Sequence, residues 1–357
     1  MPEQRLSISW SSVVLLLGAS LGLLLVWQVR GLFVIVLTAV VVAASLAPVV
    51  DTLEKLRLPR WLAAIVAYIG VISGFVGISL LIGPTVFQQI ERLIRQLPTF
   101  VEALRASIEY LAVRYSSAPP ELIRQFFDPQ SLTRWVIGSV QQLALRSYGI
   151  TRGILGGVLS LVLALLISGY MVADSRTLIQ GFVRLFPQPW NDRLAAQMVP
   201  VSYRMGGYIR GRIVVSAVLG IATSIGLRFL GLGEFALGLG AIASVTNLIP
   251  FIGPLLGSIP SLVVALSLDG WTFLWVLILF VIVQNLETYV LDPLLVGSSV
   301  GVHPLYQLLA VLCGAQVLGI IGALIVPPWF AGLAVLIENL YLRPKILQEK
   351  QQSLIKV

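Results

Sequence analysis

Charge is what this 357-residue chain has least of: 11% of its residues are Asp, Glu, Lys or Arg, while 57% are hydrophobic. Soluble domains run at about 25% charged. A single soluble core would have to hide all of that apolar surface at once, so most of the chain belongs in lipid. Cysteine is scarcer still. Cys313 stands alone, which excludes an internal disulfide framework and a multi-cysteine metal site. His303 is the single histidine, so neither HExxH nor a histidine metal cluster can form. There is no G-x-x-x-x-G-K-[ST] loop to cradle ATP. GLGE at 231–234 has an acid, Glu234, but no partner Asp lies in an apolar span as an intramembrane aspartyl site would require. These absences argue against an enzyme or a primary pump. They leave no expected cofactor and no expected metal.

The basic balance, net +8, reads as loop charge that fixes membrane orientation rather than as a nucleic-acid footprint. The expected partner is the lipid bilayer, and no nucleic acid is expected. The first apolar run lacks a small-residue cleavage pattern, so it reads as a retained membrane segment.

Spans need about 20 mostly apolar residues. Candidates fall near 11–29, 32–50, 61–83, 154–173, 213–230, 235–268 (with breaks) and 271–290, and over 304–342. That last run is too long for one crossing, and Gly319, Gly322, Pro327 and Pro328 suggest two legs. The fold class is therefore an all-α integral membrane protein with about eight membrane segments. Residues 1–83 form N-terminal membrane helices, and 153–357 a membrane core containing a polar loop at 174–212. Between them, 84–152 reads as an amphipathic helical domain outside the hydrocarbon. Val86, Ile90, Leu93, Ile94 and Leu97 share one face there, and Glu91, Arg92 and Arg95 another. Pro98 is expected to end that helix, and Pro119-Pro120 the next. This domain is either a solvated insertion or a gate or docking surface.

The loop DTLEKLRLPR (51–60) carries Lys55, Arg57 and Arg60. With that loop cytoplasmic, both termini are cytoplasmic in the inner membrane and 84–152 is extracytoplasmic.

Two stretches stand out. TNLIPFIGPLLGSIP (246–260) places Pro250, Pro254 and Pro260, with Gly253 and Gly257 between them, in apolar sequence. Irregular backbone survives in a bilayer only where protein or a water-filled cavity supplies partners. The stretch reads as a re-entrant hairpin or broken helix lining a pathway, with Asn247 at its mouth, or as a tight turn at the membrane surface. The second stretch is 283–312. Gln284 and Glu287 share a helix face, and an acid within a span is a functional candidate. Otherwise Glu287 reaches the interface or pairs with an arginine such as Arg210. Asp292-Pro293 stops that helix. His303-Pro304 starts the next, with His303 either structural or a proton relay.

Together and in order, these stretches resemble the autoinducer-2 exporter-like (AI-2E) family, also called PerM permeases. The matching positions are Asn247, Pro250, Gly253, Pro254 and Gly257; then Gln284, Glu287, Pro293, Gly297, Gly301, His303 and Pro304; then Gly314, Gly319, Gly322 and Pro327. YIRGR (208–212) is similar to the family's Y-x-x-G element, whereas the doubled proline of IVPPWF departs from its pattern. The resemblance implies a membrane transporter, some members exporting autoinducer-2 and others proposed to exchange Na+ or Li+ for H+, and it implies homo-oligomers. The expected cargo is a small polar solute or a monovalent cation. A rival reading from a different class is a non-transporting membrane scaffold that docks an envelope partner through 84–152.

Overall fold

The computed structural model describes residues 28–115, 147–297 and 303–355, which are helical throughout apart from short turns. The candidate span 11–29 lies almost wholly outside these residues, as do Pro119-Pro120 and Gly301. The helices are α1 (Arg30–Lys55), α2 (Arg60–Tyr115), α3 (Ser147–Ala173), α4 (Ser175–Val183), α5 (Trp190–Phe229), α6 (Ala236–Asn247), α7 (Ile252–Leu268) and α8 (Gly270–Leu286). A π-helical segment, Glu287–Gly297, continues α8. Then come α9 (Pro304–Ile337), a short π-helical turn and α10 (Arg343–Ile355). Five of these helical runs are long and apolar enough to cross a bilayer, or six if α3 and α4 count as one bent span.

Central to the bundle is α5, against which α1, α6, α9 and the π segment all pack. Its buried side chains recur at the α-helical period: Met205, Tyr208, Arg212, Val215, Leu219, Thr223 and Leu227. Small residues let its neighbours come close. A Cβ on Gly220 would meet Ser244 of α6, and one on Gly211 would strike the backbone of Leu295 in the π segment. Such contacts replace the hydrophobic drive that lipid does not supply between helices.

Two helical hairpins enter the bundle from opposite ends of α5. The first is α6–α7. At 12 and 17 residues, its legs are about 18 and 25 Å long, short of the roughly 30 Å hydrocarbon core. It starts at the end of α5 marked by the Arg92–Glu234 ion pair. There Gln89 of α2 accepts a hydrogen bond from the Gly238 N–H at 2.7 Å, satisfying one of the donors that every helix start leaves orphaned. The second hairpin is α9 itself. Gly319 breaks it at φ +65°, a conformation that suits glycine. The chain doubles back so tightly that a Cβ on Gly314 or Gly322 would fall on the other's backbone. Its base sits at the opposite end of α5, where Asn339 donates to Gln197 at 2.7 Å.

Proline positions correct three expectations. Pro98 does not end a helix: α2 runs through both Pro84 and Pro98. Each proline leaves one carbonyl without its amide partner but does not stop the turn-to-turn packing. In the 246–260 stretch only Pro250 lies in the break. Pro254 sits in the first turn of α7, where a missing N–H costs nothing, and Pro260 lies inside α7. Likewise Pro327 and Pro328 lie buried within the second leg of α9, and the turn is made by Gly319 alone.

Candidate functional site

The site grows from the point where the first hairpin turns. α6 ends at Asn247, whose side chain is 3% exposed. Leu248–Phe251 form the turn, and its last step is tight: the Ile252 N–H bonds to the Pro250 carbonyl at 2.8 Å across Phe251, which has φ +65° and ψ −50°. That is a γ-turn of the rare positive-φ kind, strained for a residue with a Cβ. Gly253 and Gly257 hold the returning leg close, because a Cβ on either would strike the Ala243–Asn247 part of α6. The hairpin thus delivers Asn247 into the bundle beside α5 and α8.

On the facing side, Glu287 is 4% exposed and closes α8. Its Oε1 accepts a hydrogen bond from Nη1 of Arg212, 2.8 Å away. Gln284 Nε2 approaches its other oxygen at 3.5 Å. Arg212 is 1% exposed, and its Nη1 also lies 3.5 Å from Asp292 Oδ1. Residues five apart sit about 140° from each other on an α-helix. Only because the chain widens to π-helical pitch at Glu287 do Glu287 and Asp292 both face Arg212. Such widened turns occur frequently at functional sites.

Beside the pair lies a cavity of about 20 Å³ lined by Thr223, Asn247, Pro254, Gln284 and Glu287, with Leu219, Ala243, Phe280 and Val283 as its apolar wall. That volume suits about one water-sized species. Among the described residues, several buried polar atoms around it have no hydrogen-bond partner: Thr223 Oγ1, Asn247 Nδ2, and Ser216 Oγ, Nε and Nη2 of Arg212 along the α5 stripe. Buried polar groups are ordinarily satisfied, so this concentration singles the region out. Its charges are one cation against two carboxylates, in a setting where unpaired charge is costly.

The sequence-picked residues divide between this site and elsewhere. Asn247, Pro254, Gln284 and Glu287 meet at the cavity, with Pro250, Gly253 and Gly257 shaping the hairpin that brings Asn247 there. Arg210 does not pair with Glu287. It points the other way, donating to the Ala44 and Ser45 carbonyls of α1 at 3.3 and 2.8 Å. Pro48 has no N–H to give Ala44 four residues back, and Arg210 fills that gap. Pro293 and Gly297 lie in the π segment. His303 caps α9, its Nδ1 accepting from the Leu305 N–H at 3.2 Å, and Pro304 is the first helical residue. Gly319 makes the turn of the second hairpin, and Gly322 packs its second leg against Gly314. Arg212 and Asp292 were missed. The signal for Arg212 was present: Tyr208, Arg212, Ser216 and Thr223 follow a helical stripe that runs from the stretch read as a polar loop into the span at 213–230.

A family model described as "AI-2E family transporter" matches residues 14–342. The chain belongs to the AI-2E transporter family. Among its curated relatives, a Bacillus subtilis protein named "Putative transport protein YrrI" is 28% identical over 316 residues, covering 86% of each chain. A Mycobacterium tuberculosis protein, "Putative transport protein MT0215", is 26% identical over 341 residues, covering 92% of this chain and 89% of its own. A Synechocystis relative, "Putative transport protein sll0063", is 25% identical over 355 residues. AI-2E membership and the apolar helices together make this a multi-pass membrane protein, and a transporter in the general sense of its family. The AI-2E match spans both hairpins, the π segment and the Arg212 stripe.

Proposed function

We propose that this chain is a secondary or facilitative transporter that moves a small polar solute across the cytoplasmic membrane, with the Arg212–Glu287 pair and Asn247 at the pathway. One observation carries the reading. A buried ion pair adjoins a cavity with unpartnered polar groups at the tip of a hairpin whose legs are shorter than the hydrocarbon core. Buried ion pairs are poor devices for stability, because desolvation offsets their attraction. Inside a membrane they mark ion or substrate paths. Half-length helices that bring their ends to mid-depth are a recurring way to build such a site. A solute of autoinducer-2 type, small and polyhydroxylated, suits the amides of Asn247 and Gln284.

A second reading is exchange of Na+ or Li+ for H+. Its support is the size of the cavity, which fits one water-sized species, and the carboxylate on its wall. In that reading Glu287 alternates between proton and cation, and Arg212 holds it in place between turnovers.

The test is flux in sealed proteoliposomes under an imposed sodium or pH gradient, with lumenal pH followed. Sodium-driven proton movement that disappears in Glu287→Gln favours exchange. Solute flux without ion coupling, again lost in Glu287→Gln, favours facilitated transport. Undiminished flux of either kind in Glu287→Gln removes this residue from the pathway. A scaffold role for the segment 84–152 would instead survive changes at Asn247 and Glu287 and be lost when that segment is removed.

A further inference from the structure

The end of the bundle opposite the Arg92–Glu234 pair carries a feature that lies apart from the candidate site. α3 and α4 meet at 85° across Asp174. If α3 crosses the bilayer, α4 runs along its surface. α4 is amphipathic. Ile179 and Val183 turn inward, and Val183 is buried. Next to them Leu178, Phe182, Leu185 and Phe186 are 41, 51, 78 and 39% exposed, followed by Trp190 at 48%. Nothing among the described residues covers this apolar edge. Arg176 and Arg184 lie on the other side of the helix, and Arg193 sits over the Trp190 ring at 5.7 Å. The α1–α2 turn stands alongside, tied by Arg176 Nη2 to Glu54 Oε1 at 3.2 Å. It adds exposed Lys55 and Arg57 and an exposed Trp61. Over 51–60 and 174–193 there are six basic and four acidic side chains. Asp51 and Glu54 are already engaged by Arg60.

We propose that α4 and the turn into α5 form a foot that binds anionic phospholipid headgroups at the membrane surface. The apolar edge enters the acyl boundary, and Arg184, Arg193, Lys55 and Arg57 remain at headgroup level. The chemistry is that of an interfacial amphipathic helix, with aromatic and leucine residues on one side and arginine on the other. Tryptophan sits at its end, as it does at membrane interfaces generally. Charge complementarity selects the occupant: basic side chains within a Debye length of an anionic leaflet are attracted to it. The foot is independent of which solute the protein carries.

The full chain tests it, with Cys313→Ala to remove the exposed native thiol and a fluorophore on Leu185→Cys. In vesicles of phosphatidylcholine, spin-labelled phosphatidylglycerol should quench the label at a lower mole fraction than phosphatidylcholine spin-labelled at the same depth. The preference should shrink roughly fivefold for each arginine removed in Arg184→Gln and Arg193→Gln. It should persist in Arg184→Lys and Arg193→Lys, and weaken as salt is raised. Equal quenching by both lipids in the unsubstituted chain overturns the proposal. So does quenching by aqueous iodide alone, which would put the edge in water. Cross-linking of Leu185→Cys between copies, with lipid quenching lost, would also overturn it and assign the edge to a second copy of the chain.

Discussion

Two arginines in this molecule each face two carboxylates. Arg60 contacts Asp51 at 3.0 Å and Glu54 at 2.6 Å, and Arg212 contacts Glu287 at 2.8 Å and Asp292 at 3.5 Å. The chemistry is the same and the setting is not. The Arg60 side chain is 19% exposed and its acids 52 and 31%, whereas Arg212 and Glu287 are 2 and 5% exposed. Arg60 also donates to the Val172 carbonyl at 2.9 Å, so it pins the starts and ends of α1, α2 and α3 together at the surface. The water that screens it makes each of its ion pairs worth about 0–1 kcal/mol. Arg212 has given up water and keeps two nitrogens without partners among the described residues. One triad fastens helices; the other holds charge where charge is expensive. The difference lies in solvent and not in residue type.

That contrast can be broken deliberately. The largest effect is expected from Glu287→Gln, which leaves Arg212 buried with only the more distant Asp292. Stability should fall by about 3–5 kcal/mol in a denaturant titration in detergent, and flux should be lost. Replacing the pair together, Arg212→Met with Glu287→Met, should recover most of that stability while flux stays lost. Recovery of both would show the pair to be merely structural. Gly253→Ala comes next. Its Cβ falls on the Thr246 backbone, so overpacking should cost about 1–3 kcal/mol and displace Asn247, lowering flux as well as the melting temperature. Arg60→Gln should cost no more than about 2 kcal/mol for its two ion pairs and leave flux intact; a larger loss would mean the surface triad does more than pin helices. The smallest effect is at Asp269, the N-cap of α8. Hydrogen bonds from the Thr272 N–H and hydroxyl hold its carboxyl below the usual range. The folded value is depressed, so the cap's stabilising effect is present above the unfolded value near 4. It is lost as pH falls through the folded value. Asp269→Ala should therefore lower the melting temperature slightly at neutral pH, and the difference from the parent chain should vanish in strong acid.

Much of this was legible from residues alone, and for reasons that can be named. Apolar runs of spanning length revealed the membrane helices, because lipid leaves the chain few other solutions. Asn247, Gln284 and Glu287 stood out as polar groups in apolar sequence. Arg212 did not, because it comes after five other arginines in 174–212 and one side chain's burial is not visible in local composition. The choice of Arg210 over Arg212 failed on geometry. Two residues apart on a helix, they point to opposite sides, one at α1 and the other at Glu287. Asp292 was hidden by the π-helical pitch, since α-helical counting puts it on the wrong face. Prolines misled in one direction: Pro98, Pro254 and Pro260 read as helix breakers, and each lies within a helix. A missing N–H matters only where its carbonyl partner has nowhere else to turn.

At Pro48 such a carbonyl does find a substitute. The Ala44 oxygen is served by Arg210, which comes near enough only because position 206 is glycine, where a Cβ would collide with that same oxygen. Pro48→Ala alone restores the helical N–H and leaves a half-buried guanidinium with less to bind. Arg210→Leu alone leaves the oxygen bare. Made together, the two changes leave the Ala44 oxygen satisfied again. Positions 48 and 210 are thus coupled in space, and relatives compared side by side are expected to show proline at one together with arginine at the other.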